Sequence, residues 1–498
     1  MVKGRRVRKT PAGADPTVDT GQPLKTVTAL KGQKSMIHPV NNHRYDSPGG
    51  SRLVGAKAGQ RSPRLRLPKS LALLAGGALA LSACGSAASA ASAASANTSA
   101  SSTGKPTAIT LWESHNGGPV GAAMSALVAK FNASHKSVQV TLVVTKASSK
   151  LPAAVAAGNP PVLAEISHYD GVLVKGLALQ SWNPYIKGSK TFSQANVFPS
   201  VWTNGEVSGG QHYRLLTDAK VSEVFYNQSM FAAAGITTPP TTWAELAADA
   251  SKLKSASVVP LGWKDSSAHI LPAILSNGGT MLKGSNSVGT AVDFNSAATR
   301  ATFQYFQGLY ASGNMVFDHG TTLRQDLASG HMAMIDGTSA GYQKVIEAVA
   351  GKFKVGAFVE PAGSTGHAAN LVQGLGFVLP KGHTSAQDRA AFAFVDWWYQ
   401  PAQQAYWSEN TGFAPLTKAG AAAIPQSFLA GHPGLAASVA AMSSPYTYGR
   451  PVSDSYSQVQ AVLDAAFQQA VTGGQPIAAA LSQLESQGNS YMSGASAL

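Results

Sequence analysis

Gly337-Thr338-Ser339-Ala340-Gly341 matches the G-x-S-x-G pattern, in which a serine nucleophile is presented on a sharp turn between a strand and a helix. The flanks suit it, with a strand expected over Met332–Ile335 and a helix over Tyr342–Val349. Asp396 and His432 follow in the order a hydrolase triad needs, so a secreted serine hydrolase acting through Ser339 is one reading. The other is a tight turn whose small residues let the backbone approach a bound molecule, a common pattern in a chain with 50 glycines. Gly117-Gly118-Pro119, ahead of a helix, could hold an anion, but it is neither a P-loop nor a dinucleotide fingerprint. The 12 histidines form no H-E-x-x-H and no i, i+4 ligand pair, so no metal site is expected; no cofactor is expected either. No pair of acidic residues stands out as a glycosidase site.

Cys84 is the only cysteine, so no disulfide can form within the chain. It ends an apolar run from Leu71 to Leu81, preceded by Arg61, Arg64, Arg66 and Lys69 and followed by serines and alanines. A positive flank, a short apolar core and small residues at the end make a secretory signal, too short to span a bilayer. Leu81-Ser82-Ala83-Cys84 resembles the lipobox of bacterial lipoproteins, which implies an acylated Cys84 at the mature N-terminus and an extracytoplasmic protein anchored by lipid to the outer face of the cell membrane. Residues 1–60 lack apolar periodicity and read as a disordered extension, with translation expected to begin downstream, at Met36 or later.

The formal charge of +14 would suggest nucleic acid or an anionic surface. It is not spread evenly. Residues 1–83 hold 15 Lys/Arg and 3 Asp/Glu, whereas the remainder holds 23 and 21. The expected mature chain is nearly neutral, and no nucleic-acid partner is implied.

After a flexible Ala/Ser-rich tether over 84–104, the elements that must position these residues begin. Strands are expected at Ile109–Trp112, Val138–Val144 and Val162–Ile166, with helices at Val120–Ser134 and Leu151–Ala157 between them. A further strand is expected at Val221–Tyr226 and a helix at Thr242–Leu253, with a capping box between Thr242 and Glu245. Strand-like pieces follow at Lys354–Phe358 and Gly376–Leu379 within a mostly helical second half. The alternation argues an α/β fold with mainly parallel sheets.

Val224-Phe225-Tyr226-Asn227, Met230-Phe231, Ala234-Gly235-Ile236 and Pro239 to Leu246 resemble the signature of extracellular solute-binding proteins of ABC importers, in the branch of the maltose-binding and glycerol-phosphate-binding proteins. Similar matches lie at Ile109 to Trp112 with Phe131-Asn132, at Gly158 to Pro161, at Gly330 to Met334 and at Asn410 to Pro415, from 108 to 490 in all. The resemblance implies a two-lobed, type II periplasmic-binding-protein-like fold with the ligand in the interlobe cleft: lobe one 105–217 with 368–420, lobe two 222–365 with 440–495. It implies capture of a sugar, sugar alcohol or glycerol-3-phosphate-type solute by hinge closure, delivery to permease subunits, and no catalysis.

Site residues follow from the same resemblance. Arg450 falls on the branch's ligand-contacting arginine, Gly374 on its glycine, Ser339 on its serine-rich turn and Trp263 on its cleft tryptophan. Phe413 stands where the branch has a tyrosine, His168 where it has a glutamate, and Ala219-Lys220 where it has serines. Lys146 to Ser149 lacks the branch's tyrosine. The hydroxyl-reading half of such a site is thus rewritten while the anion-reading Arg450 is kept.

Overall fold

The computed structural model describes residues 105–115, 117–167, 178–207, 209–264, 266–284, 289–318, 320–451, 453 and 455–493, all within one compact unit, Asn97–Leu498. The leader, Cys84, the tether and His168 lie outside the described residues.

The first lobe forms around β1 (Thr107–Glu113), β2 (Val138–Val144) and β3 (Leu163–Ile166). Alternation in β1 turns Ile109, Leu111 and Glu113 inward. Parallel strands need a crossover, and the helix Gly118–Ser134 supplies it between β1 and β2, burying Met124, Leu127, Val128 and Phe131. Asn132 fastens that helix to β2: its side chain donates to Val140 O at 2.9 Å and accepts from Val140 N at 2.8 Å. The next helix runs Ala147–Ala156, starting ahead of the expected Leu151; its first turn is polar, and the Ala147 N–H is anchored by Ser114 Oγ at 3.2 Å. Short strands β4 (Leu179–Gln180), β5 (Glu206–Val207), β6 (Gln211–His212) and β7 (Arg214–Leu216) complete this pass of the chain.

The chain then crosses to the second lobe. There β8 (Ser222–Asn227), β9 (Val259–Trp263), β10 (Met315–Phe317), β11 (Met332–Thr338) and β12 (Val355–Val359) form a sheet in the order β10-β9-β11-β8-β12. The helix Trp243–Leu253 carries the capping box, with Thr242 and Glu245 each accepting the other's N–H at 3.1 Å. Behind the sheet, Trp243, Trp263, Phe303, Phe306 and Phe467 build the core, closed by the helices Tyr456–Val471 and Ile477–Ser493.

The return segment carries β13 (Asn370–Leu371) and then β14 (Gly376–Pro380), which inserts into the first sheet beside β3; β15 (Thr447–Tyr448) lies parallel to β13. The architecture is the two-lobed α/β fold expected, but both sheets are mixed rather than mainly parallel. β14 runs antiparallel to β3, β4 and β7, and β8 antiparallel to β11 and β12. The strands that enter directly from a crossing, without a helical crossover in their own lobe, run against their neighbours.

Candidate functional site between the lobes

The crossing segments meet at the junction of the lobes. Lys220 N donates to Gln373 O at 2.8 Å, and Gln373 N returns the bond to Lys220 O at 3.0 Å. Gly374 permits this approach: a Cβ there would stand 2.0 Å from the backbone oxygen of Asp218. Arg450, just beyond β15, reaches the same place and donates from Nη2 to Gln373 Oε1 at 2.8 Å, while its Nε is buried without a partner. Lys220 makes no side-chain hydrogen bond or ion pair among the described residues. Desolvation pulls its ammonium below the usual lysine range; Asp218 opposes this, and Arg450, Lys264 and Lys344 add to it. The junction therefore holds Lys220 and Arg450 near one another in a poorly solvated place, with Asp218 beside them.

The other expected residues are placed as follows. Ser339 N donates to Val221 O at 3.2 Å, and Ala414 N to Ala219 O at 2.7 Å, so the turns carrying Ser339 and Phe413 both dock on the first crossing. Phe413 stacks on Trp407, with ring centroids 5.9 Å apart and planes 16° apart. A cavity of about 270 Å³ opens here, lined by Pro119, Ser339, Tyr342, Ser408, Gly412 and His432, among others. Ser339 is buried and its Oγ has no hydrogen-bond partner among the described residues. Trp263 corrects the cleft expectation: it is wholly buried in the second lobe's core, its ring against Trp243 and Phe306 and its Nε1 donating to His269 O at 3.0 Å. The edge of β9 and the cleft both favour an aromatic, and the sequence alone does not separate them.

The triad is not assembled. His432 lines the same cavity as Ser339, but its Nδ1 lies 2.8 Å from Phe428 O and its ring stacks on Phe428. Asp396 accepts from Ser189 Oγ at 2.8 Å and from Thr191, in the first lobe, and no bond links it to His432. The glycine that opens the pattern has a packing reason: a Cβ on Gly337 would lie 2.4 Å from the Phe225 ring.

Two buried charge clusters escaped the sequence motifs. At the carboxyl end of β1, His115 faces Glu113, Glu165 and Asp218, and edges onto Trp407 and Phe413. Burial alone would keep this imidazole neutral, but Glu165, Asp218 and Glu113 together lift it to about 12. Glu113, against the desolvation that would raise it, is held below its usual range by His115. In the second lobe His269 Nδ1 stands 2.6 Å from Asp336 Oδ1, beside Glu360, whose carboxyl is pushed well up by burial and then by Asp336. Apart from Glu113 and His115, two residues apart at the end of β1, the donors come from separate strands and loops, so no multi-residue spacing announces them.

Comparison with known proteins follows the same lines. Residues 126–437 match the family described as bacterial extracellular solute-binding protein. The sn-glycerol-3-phosphate-binding periplasmic protein UgpB of Pectobacterium atrosepticum is 24% identical over 416 residues, 78% of this chain and 91% of that one. Among solved structures, the cyclic alpha-maltosyl-1,6-maltose binding protein of Arthrobacter globiformis superposes with a TM-score of 0.66 at 23% identity, covering 78% of this chain and 100% of that one. UgpB of Mycobacterium tuberculosis, solved with glycerophosphocholine, gives a TM-score of 0.65 at 18% identity, covering 77% and 98%. With two lobes, a charged junction between them and no assembled triad, the chain belongs to the bacterial extracellular solute-binding protein family.

Proposed function

We propose that the protein is the solute receptor of an ABC importer, anchored through a lipid on Cys84 to the outer face of the cell membrane, and that its solute is a phosphorylated polyol of the glycerol-3-phosphate type. The observation that carries this reading is the meeting at Gln373 of the Lys220 backbone and the Arg450 side chain, from different segments of the junction, close enough for the Arg450 charge to act on the Lys220 ammonium. A phosphate needs cations or exposed amides, and a desolvated cation without a partner gains most from an anion. The helix Gly118–Ser134 adds support: no side chain caps its N-terminus, and Pro119 in its first turn lines the cavity. Closure of the lobes about 217–221 and 372–375 would trap the solute, for release to permease subunits. The similarity to glycerol-phosphate-binding and maltose-type proteins is consistent with this class.

The test is a thermal-shift screen of sugars, polyols and their phosphates, run beside a chromogenic-ester assay. A receptor melts at higher temperature with its solute and turns over no ester. Ester turnover that disappears in Ser339→Ala would instead establish the hydrolase reading.

A further inference from the structure

The cluster at the end of β1 is not used by the solute reading. His115 Nδ1 lies 3.5 Å from Glu113 Oε2 and 3.3 Å from Glu165 Oε2, and makes no hydrogen bond among the described residues. Both glutamate side chains are wholly buried, and that of His115 keeps 8% of its exposure. Oε1 of each glutamate is also buried without a hydrogen-bond partner. Buried polar atoms are nearly always fully satisfied, and here His115 Nδ1 meets both carboxylates only as long, shared ion pairs while each glutamate keeps one oxygen unmatched, so the cluster calls for an explanation.

We propose that Glu113, His115 and Glu165 form a binding site for a divalent transition-metal ion of the zinc class, held by His115 Nδ1 and one carboxylate oxygen from each glutamate, with Asp218 fixing the far ring nitrogen. The spacing fits. With Zn–N and Zn–O distances near 2.0–2.2 Å, neighbouring ligands of a tetrahedral ion stand about 3.3–3.5 Å apart. The two separations from His115 Nδ1 match this, and all three donor atoms lie within 4.8 Å of one another. The outer partner also fits, because a metal-bound histidine nearly always gives its other N–H to a carboxylate or carbonyl. Here Nε2 lies 3.1 Å from Asp218 Oδ2, and Asp218 is itself held by Thr217 Oγ1 at 3.2 Å and Leu375 N at 3.3 Å.

The ligands are already fastened. Glu113 Oε2 accepts from His115 N at 2.6 Å, and Glu165 Oε2 accepts from Ser114 N at 3.1 Å. One imidazole nitrogen with two carboxylates favours zinc-like ions over calcium or magnesium, which prefer oxygen alone. Three protein ligands leave a fourth position for water. Since Asp218 lies on the first crossing, a bound ion would tie β1 and β3 to the hinge.

The test strips the purified protein with chelator, adds zinc or cobalt(II) at neutral pH, removes free metal by gel filtration, and measures bound metal by mass spectrometry and cobalt by its visible absorption. One ion per chain is expected, with the absorption of a tetrahedral cobalt site. Glu165→Gln should lose the ion, and Asp218→Asn, which leaves all three ligands in place, should bind it about 10–100-fold more weakly. Wild-type protein that retains no zinc and gives no tetrahedral cobalt spectrum overturns the proposal whatever the variants do, leaving the cluster as a caged imidazolium. Retention at wild-type affinity in both variants also overturns it, because the ion then sits elsewhere.

Discussion

Lys220 and Gln373 exchange both of their backbone hydrogen bonds, one residue from each of two segments that join the lobes. The same glutamine accepts from Arg450 through its side chain. Both cationic residues are thereby tied to one residue at the pivot, Lys220 through its backbone and Arg450 through the glutamine side chain. A solute held there would report directly to the hinge.

Gly374 is the residue that lets the crossings lie this close. In Gly374→Ala the new methyl would meet Asp218 O at 2.0 Å, a contact with backbone that no rotamer change relieves. The variant should lose about 3 kcal/mol of stability or more, read as a lowered denaturant midpoint. An unchanged midpoint would mean that the crossings separate freely.

Trp263 belongs to the second lobe's core, so its substitution should act on folding. Trp263→Ala should cost about 3–5 kcal/mol in stability. Solute affinity per folded molecule should change little. A large loss of affinity with stability intact would return this tryptophan to the cleft.

Much of the framework was legible in the sequence. The helix Tyr342–Val349 and the capping box at Thr242 and Glu245 are local features, fixed by apolar spacing and by side chains three residues apart. Strand positions were equally local, but strand direction was not: nothing in Gly376–Pro380 says that it enters its sheet from the other lobe and runs against β3. Lys220, Gly374, Ser339, Phe413 and Arg450 do gather at the junction, because Lys220 and Gly374 lie on the crossings, Arg450 reaches Gln373 on one of them, and the turns carrying Ser339 and Phe413 dock on the first. The cluster around His115 was invisible, since Glu165 and Asp218 lie 50 or more residues from Glu113 and meet it only once β1, β3 and the crossing are in place.

His212 supplies a pH dependence. Burial pulls its imidazole down to about 4, opposed by the backbone at Trp202 and Gly210, and the ring lies on Trp202 with centroids 3.8 Å apart. Glu206 is its neighbour across the β5–β6 hairpin. Between the ordinary value near 6.5 and about 4 the unfolded chain binds a proton that the folded chain refuses, so stability present above pH 6.5 is lost as the pH falls through this window. The loss should reach a few kcal/mol. Melting curves of wild type and His212→Gln should converge or cross as the pH drops from 7 to 4; parallel curves would contradict the assignment.

The proposed anchoring rests on Cys84, the chain's sole cysteine. Cys84→Ser should leave the precursor unprocessed or release the protein to the medium, as followed by fractionation and immunoblotting. A fully processed Cys84→Ser protein still held at the membrane would show a different anchor.

The central claim is that the junction binds an anionic solute through Lys220 and Arg450. Calorimetric titration of wild type, Lys220→Met and Arg450→Ala with glycerol 3-phosphate, glycerophosphocholine and maltose, at low and high salt, tests it most directly. The account predicts that a phosphorylated polyol binds, that its affinity falls as salt rises, and that each variant loses on the order of 10²-fold in affinity while its fold is kept. Binding of maltose alone, indifferent to salt and to both substitutions, would contradict it.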